Sequence, residues 1–245
     1  MFKTELFNLI KSINGDTFII GDTHFNHENI YVKYEPIRLE QMKKDGFTDH
    51  NEWIIHNWNS VVGPEDLVIF MGDFAFKGIP DLKGRLNGKM IFILGNHDRK
   101  GPDVYKDLFD YTLNGAYLEF NNKIYHAKST DELFSALMIT YEDKGLLLSH
   151  YPATEQEKKY YSLDPEKVSE SRLVKNHLMC NRIDEIMNLC DENDVTYNLH
   201  GHTHSNDVDD DSVMYKFINC SLEAIDFKPI RLKELIDRAE NGGIK

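Results

Sequence analysis

Met90-Ile91-Phe92-Ile93-Leu94-Gly95-Asn96-His97-Asp98 decides how this chain is read. Five apolar residues rich in Ile and Phe form a strand buried on both faces, and the glycine behind them lets the backbone turn sharply, presenting three polar side chains at the strand tip. A polar turn after a strand is ordinary by itself. This one gains weight because the construction recurs. Thr17 to Ile20 runs into Gly21-Asp22-Thr23-His24, and Leu67 to Met71 runs into Gly72-Asp73. Gly145 to Leu148 runs into Ser149-His150-Tyr151-Pro152, and Val195 to Leu199 into His200-Gly201-His202-Thr203-His204. The strand ends thus carry Asp22, His24, Asp73, Asn96, His97, His150, His202 and His204, at the place where α/β sheets keep their sites.

Outward from these strands, 245 residues suit a single domain, 1–245, with room for an insertion. The hydrophobic share of 41% and charged share of 28% are those of a globular protein, and no apolar run approaches the roughly 20 residues of a membrane span. Met1 to Glu5 opens no signal-peptide core, so a cytoplasmic location is expected. Cys180, Cys190 and Cys220 lack Cys-x-x-Cys spacing and read as buried reduced thiols. A formal net charge of −13 argues against a broad nucleic-acid surface, since phosphate backbones are bound through Lys and Arg, but it leaves room for a small phosphate ester held by metal.

Strands and helices alternate. Glu28 to Lys44 reads as irregular with helical turns, and Thr48 to Glu52 as the capped start of a helix through Asn59, on which Trp53 and Trp58 pack. Gly78 to Gly88 would hold a short helix crossing over between parallel strands ending at Met71 and Leu94. Hairpins are expected to turn at Asn121-Asn122 and at Glu142 to Gly145. The segment 153–194 is polar and helical, with Leu173, Leu178, Ile183, Ile186 and Leu189 near one face, and is read as a helical cap over the site. The acidic run Asp207 to Asp211 lacks the glycine and glutamate of a calcium loop and reads as a solvated hairpin tip. Val213 to Asn219 then gives a strand, and Leu232 to Ala239 a terminal helix.

Asp22 and His24 stand two apart, as do His202 and His204, a spacing that on extended chain projects both side chains to one side. Each pair is able to clamp a cation. Two neighbouring cations need an anionic ligand to bridge them, and Asp73 with its two oxygens is the candidate. Imidazole, carboxylate and amide donors without thiolate suit Mn, Fe, Zn, Ni or Co without choosing among them; manganese is the ion favoured for activity. Two such ions can clamp an in-line displacement at phosphorus and bind a hydroxide nucleophile. Asn96 is the fitting ligand beside His97, which leaves His97 as general acid and Asp98 to orient its ring.

In order, these blocks resemble the five signature blocks of the calcineurin-like metallophosphoesterases. The resemblance runs from residue 21 to 204 and is close to the short stand-alone phosphoesterases of bacteria and phages, where His27 and Trp58-Asn59 also have counterparts. It implies a four-layer α/β/β/α sandwich of mixed sheets with a binuclear site. By matching positions, Asp22, His24, Asp73 and His204 would hold the first ion, Asp73, Asn96, His150 and His202 the second, and His97 would be the catalytic histidine. His150 and His202 stand 52 positions apart, farther than in compact members of the family.

His27 and Arg99, with Lys100, are candidates for contact with a substrate phosphate, and His200 for a place behind the ligands. His50, His56, His126 and His177 read as surface or packing residues. The expected activity is hydrolysis of a phosphomonoester or small phosphodiester, nucleotides included, by metal-bound hydroxide. A nuclease acting on DNA or RNA ends is the alternative, and a non-catalytic scaffold on the same fold is the alternative from another class.

Overall fold

The computed structural model describes residues 2–76, 82, 84–98, 104–129, 131–162, 169–208 and 210–242. The elements in order are α1 (Phe2–Lys11), β1 (Phe18–Ile20), a π-helical turn (Ile30–Tyr34), α2 (Pro36–Lys44), α3 (His50–Asn59), β2 (Leu67–Phe70), β3 (Lys89–Phe92) and β4 (Tyr111–Thr112). They continue with β5 (Gly115–Phe120), β6 (Lys123–Ala127), β7 (Ser135–Tyr141), β8 (Lys144–Ser149), α4 (Glu155–Tyr161), α5 (Glu170–Glu192), β9 (Val195–His200), β10 (Lys216–Asn219), β11 (Ile230–Arg231) and α6 (Leu232–Glu240). Among the described residues no helix is long and apolar enough to cross a membrane.

Two mixed sheets result, ordered β11-β1-β2-β3-β4 and β10-β9-β8-β7-β5-β6. Strands β1 to β4 are parallel neighbours, and so are β8, β9 and β10. Side-chain alternation along the second sheet shows how the layers stack. Leu137, Ile139, Leu146, Leu148 and Leu199 join the large core with Ile19, Val68, Ile69 and Ile91 of the first sheet. Their alternates Ala136, Met138 and Leu147 pack on the other face, against Met179, Ile183, Ile186 and Cys190 of α5. The molecule is an α/β sandwich of two mixed sheets with helices, as expected.

Helix α3 begins as the sequence predicts: the Asp49 carboxylate accepts from the Glu52 N–H at 3.0 Å, satisfying one of the first orphan donors. Trp53 and Trp58 are fully buried, and their indole N–H groups donate to Asp45 Oδ2 and the Asn87 carbonyl, each at 2.8 Å. Both are packing residues. The hairpin turns also fall where expected, with Asn121, Asn122, Glu142 and Asp143 all at positive φ, the backbone that two-residue turns require.

Three expectations are corrected. Glu28 to Lys44 is a π-helical turn followed by α2, whose Pro36 occupies the first turn where its missing N–H leaves no ladder bond unmade. The buried face of α5 is Asn176, Met179, Arg182, Ile183, Ile186 and Cys190, whereas Leu178 is exposed, because it is Met179, Ile183, Ile186 and Cys190 that meet Ala136, Met138 and Leu147 of the second sheet. Each fully buried Ile or Met there contributes roughly 1.5–3 kcal/mol. The segment after His204 is no hairpin, since β10 pairs parallel to β9. The chain also opens with α1, to which no reading of the sequence was attached. Residues 78–81 and 83 of the expected crossover at Gly78 to Gly88 lie outside the described residues, as do 163–168 within the helical segment.

His50, on the first turn of α3, is buried with its ring stacked on Tyr31 at 4.8 Å. Burial, and then the nearby charge of Arg38, lowers its pKa from the ordinary 6.5 to about 3. The folded chain therefore keeps this ring neutral while the unfolded chain protonates it, so the stability it contributes is full above 6.5 and is lost as pH falls from there toward 3. Denaturant unfolding between pH 6.5 and 5 should show a slope from this residue approaching about 1.4 kcal/mol per pH unit, absent from His50→Gln. Equal slopes in the two proteins reject the assignment.

Candidate metal centre

All five predicted ligand blocks lie just past the C-terminal ends of β1, β2, β3, β8 and β9. Parallel pairing puts those ends on one edge of each sheet. The two edges are joined where the Gly21 N–H donates to the Cys220 carbonyl at 2.9 Å and the His202 N–H to the Asp22 carboxylate at 3.0 Å, while within the second sheet the Cys220 N–H donates to the His200 carbonyl and the Gly201 N–H to the His150 carbonyl. Close approach is what the glycines allow here. A methyl group on Gly95 would overlap the Asp73 backbone N and Oδ1, and one on Gly201 would overlap the Asp22 carboxylate. Asp22, His24, Asp73, His202 and His204 all hold positive φ, between 49° and 71°. Such backbone costs about 1–3 kcal/mol per residue and persists only where the surroundings over-determine it.

Three groups of donors assemble among the described residues, two of them from the predicted ligands and a third, Glu35, His204 and Glu223, sharing His204. Asp22, His24 and His204 bring one ligand atom each to within 4.8 Å of one another, and Asp73, His150 and His202 do the same. Asp73 lies between them: Oδ2 is 3.5 Å from His24 Nε2, and Oδ1 is 3.5 Å from His150 Nε2. In the second group the Asn96 amide oxygen lies 2.9 Å from His150 Nε2 and 2.8 Å from His202 Nδ1. Every expected ligand is therefore brought to one place.

The donors fit a cation. His24 is buried with neither ring nitrogen hydrogen-bonded, an arrangement that is costly unless something takes the lone pair. Burial, followed by neighbouring positive groups, holds the pKa of His24 and His150 well below the usual imidazole range, so both rings are neutral, as ligation requires. Burial pushes the Asp22 carboxyl up, which marks a carboxylate without enough positive charge beside it. His150 Nδ1 faces the Met71 carbonyl at 2.9 Å; placing the proton there leaves Nε2 as the ligand atom. The residues present thus suit divalent ions, although which ion they select is a separate matter.

The other candidates divide. His97 donates its backbone N–H to Asp73 Oδ1 at 2.8 Å and sets its partly exposed ring 3.8 Å from Asp73 Oδ2, on the open side of the site. His27 is buried, with its ring stacked at 4.0 Å on Phe76 and 5.4 Å from that of His24. Asp98 departs from expectation. Its oxygens, read as orienting the His97 ring, accept from the backbone N–H groups of Asp73, Gly95 and Phe74 and from the Tyr105 hydroxyl. A buried carboxylate with those donors around it pins the loops of Asp73 and Asn96 together. His200 is buried against the Gly201 carbonyl, and Arg99 lies outside the described residues.

Several residues here had no reading from sequence. Arg38, fully buried on α2, donates to the carbonyls of Thr23 and Asp22 at 3.0 and 2.7 Å and to Glu223 Oε1 at 2.5 Å. Glu223 Oε1 also lies 3.3 Å from His204 Nδ1, which leaves His204 Nε2 for the Asp22 group. Burial alone would raise the Glu223 carboxyl, but Arg38 and His204 hold it down at about 2. On the other side Tyr161 Oη and Glu157 Oε1 lie 2.7 and 3.0 Å from His202 Nε2, the carboxylate off the line of a hydrogen bond. The only available signal was that Glu223 follows β10, a further apolar strand on the same edge; Arg38, Glu157 and Tyr161 sit on helices with nothing to mark them.

Partners behind metal-binding histidines typically matter by about 10–100-fold in affinity. Glu223→Gln, which keeps the shape and removes the charge, should weaken binding at one of two sites by that factor in titration calorimetry. Unchanged affinity at both sites would separate Glu223 from metal binding.

Residues 16–206 match the family model described as calcineurin-like phosphoesterase. A curated relative, the uncharacterized protein MJ1445 of Methanocaldococcus jannaschii, is 36% identical over 135 residues, which span 47% of this chain and 72% of the relative. A solved structure, that of the protein of unknown function AQ665 from Aquifex aeolicus, is similar with a TM-score of 0.57 at 25% identity, covering 91% of this chain and 98% of that one.

Proposed function

Since the chain belongs to the calcineurin-like phosphoesterases, we propose that it hydrolyses a phosphomonoester or a small phosphodiester at a binuclear centre in which Asp73 is the bridge. The observation that carries this reading is the pair of contacts from Asp73, one oxygen toward each donor group. Asp22, His24 and His204 complete the first site, and Asn96, His150 and His202 the second. When bound, divalent ions there supply Lewis acidity at the phosphoryl oxygens and make water nucleophilic near neutral pH.

The chain's own groups do the rest. Asp98 and the Gly95 turn hold Asp73 and Asn96 in register, so little reorganisation accompanies reaction. His97, on the open side with its backbone fixed to Asp73, is placed to hand a proton to the departing alkoxide oxygen. His27, behind His24 and His97, borders the space for the phosphoryl group. Helices α4 and α5, within 153–194, form the cap, and Glu157 and Tyr161 reach from it to His202.

A complete donor set speaks against a scaffold that has lost its chemistry, and the net charge of −13 speaks against a nuclease. The test is elemental analysis of purified protein followed by turnover of bis-p-nitrophenyl phosphate with manganese, then with chelator. Two ions per chain with chelator-sensitive turnover support the reading; a protein that binds no ion and turns over no ester refutes it.

A further inference from the structure

The following rests on the phosphoesterase reading and concerns what its site accepts. From Asn96, His202 and His204 a cavity of about 1030 Å³ opens outward between the helices of the cap and the loop after β9. That is the upper end of the range, roughly 300–1,000 Å³, in which whole small-molecule ligands are bound, so a phosphoryl group and a short alkyl chain leave most of it empty. The leaving group that fills it is large.

Its walls differ in charge. Arg172 and Lys175, three apart on α5 and hence on neighbouring positions of one helix face, line one wall, in a chain whose formal charge is −13. Asn206 and Asp207 line another. The acid deeper in, Glu157, sets Oε1 3.0 Å from His202 Nε2 without a hydrogen bond between them. A guanidinium matches a phosphate through paired N–H donors, while a carboxylate such as Asp207 accepts from hydroxyls and repels anions. At the rim, Tyr160 is 73% exposed, its ring edge-on to Tyr161 at 5.2 Å, leaving a face open to a planar group.

We propose that the cavity takes a phosphate ester whose hydroxyl-bearing leaving group carries a second phosphate, held by Arg172 on the α5 wall while its hydroxyls meet Asp207. Two sources share this chemistry, a nucleoside bisphosphate and a sugar bisphosphate, and Tyr160 would add stacking only for the first.

The experiment compares substrates that differ by that one phosphate, on metal-loaded enzyme: adenosine 3′,5′-bisphosphate against adenosine 5′-monophosphate, and glucose 1,6-bisphosphate against glucose 6-phosphate. At least one bisphosphate should show kcat/KM higher than its partner by about 10–100-fold, the range expected for a charge-assisted contact. In Arg172→Glu that preference should collapse through KM, with kcat little changed, and Arg172→Lys should restore part of it. A preference confined to the adenosine pair identifies a nucleotide; one confined to the glucose pair, a sugar; one in both, the second phosphate alone. No preference in either pair, a preference that survives Arg172→Glu, or a loss carried by kcat overturns the proposal. Bis-p-nitrophenyl phosphate and p-nitrophenyl phosphate in the same preparation separate the two levels: if either is hydrolysed while both pairs fail, only the bisphosphate proposal falls, and if neither of these esters nor any member of the two pairs is hydrolysed, the phosphoesterase reading falls with it.

Discussion

Asp73→Asn should empty both metal sites at once. The side chain lies between two donor groups with one oxygen turned to each, 3.5 Å from His24 Nε2 and 3.5 Å from His150 Nε2. An amide keeps one oxygen and turns an N–H₂ donor toward the other group, where a lone pair is needed. It also removes the negative charge that two neighbouring dications would share in the proposed centre. The loss should therefore exceed, at each site, the roughly 10–100-fold typical of a partner that touches no metal. The fold should survive, because Asn can still accept from the His97 N–H and the glycine-lined space is unchanged in size. Elemental analysis after dialysis, with a circular dichroism spectrum to verify folding, reads the result. Two ions retained per chain would reject the bridge.

His97→Ala should behave in the opposite way, keeping both ions and losing rate. Its ring is beside the donor groups without belonging to either, 3.8 Å from Asp73 Oδ2 and edge-on to His24 at 5.3 Å. General acid catalysis is typically worth about 10²–10⁴-fold, so an alkyl or nucleoside ester, whose alkoxide needs a proton to depart, should slow by that order. A p-nitrophenyl ester, whose leaving group departs as a stable anion, should slow much less. Part of any common loss belongs to phosphate binding, which is why the ratio between the two esters, with metal content measured in the same samples, is the quantity to read. Equal losses for both esters, or a missing ion, would make His97 an electrostatic or structural group.

The candidate ligands were legible because each follows an apolar run, and a parallel sheet places the ends of such runs on one edge without further instruction. The partners of those ligands were not. Asp98 shows the difference: adjacency to His97 in sequence suggested a pairing, whereas in the fold its oxygens accept from loops that start at Asp73 and Gly95 and from Tyr105. Arg38 looks like any surface cation of an amphipathic helix, yet it is fully buried and clamps the carbonyls of Asp22 and Thr23 to Glu223, 185 positions away. The face that α5 buries was misjudged at Leu178 for a related reason: a long helix of low amphipathicity has several plausible faces, and the sheet it meets selects one.

Local chemistry therefore determined which residues this chain sets at its strand ends and that their donors suit divalent ions, since strand burial, glycine turns and donor atoms are properties of short segments. Tertiary structure alone decided that Asp73 faces both donor groups, that Glu223 and Glu157 stand behind His204 and His202, and that α4, α5 and the loop after β9 line a large cavity beside them. Those relations join atoms from elements far apart in the chain, and they exist only once the two sheets have packed and their edges have been stitched together.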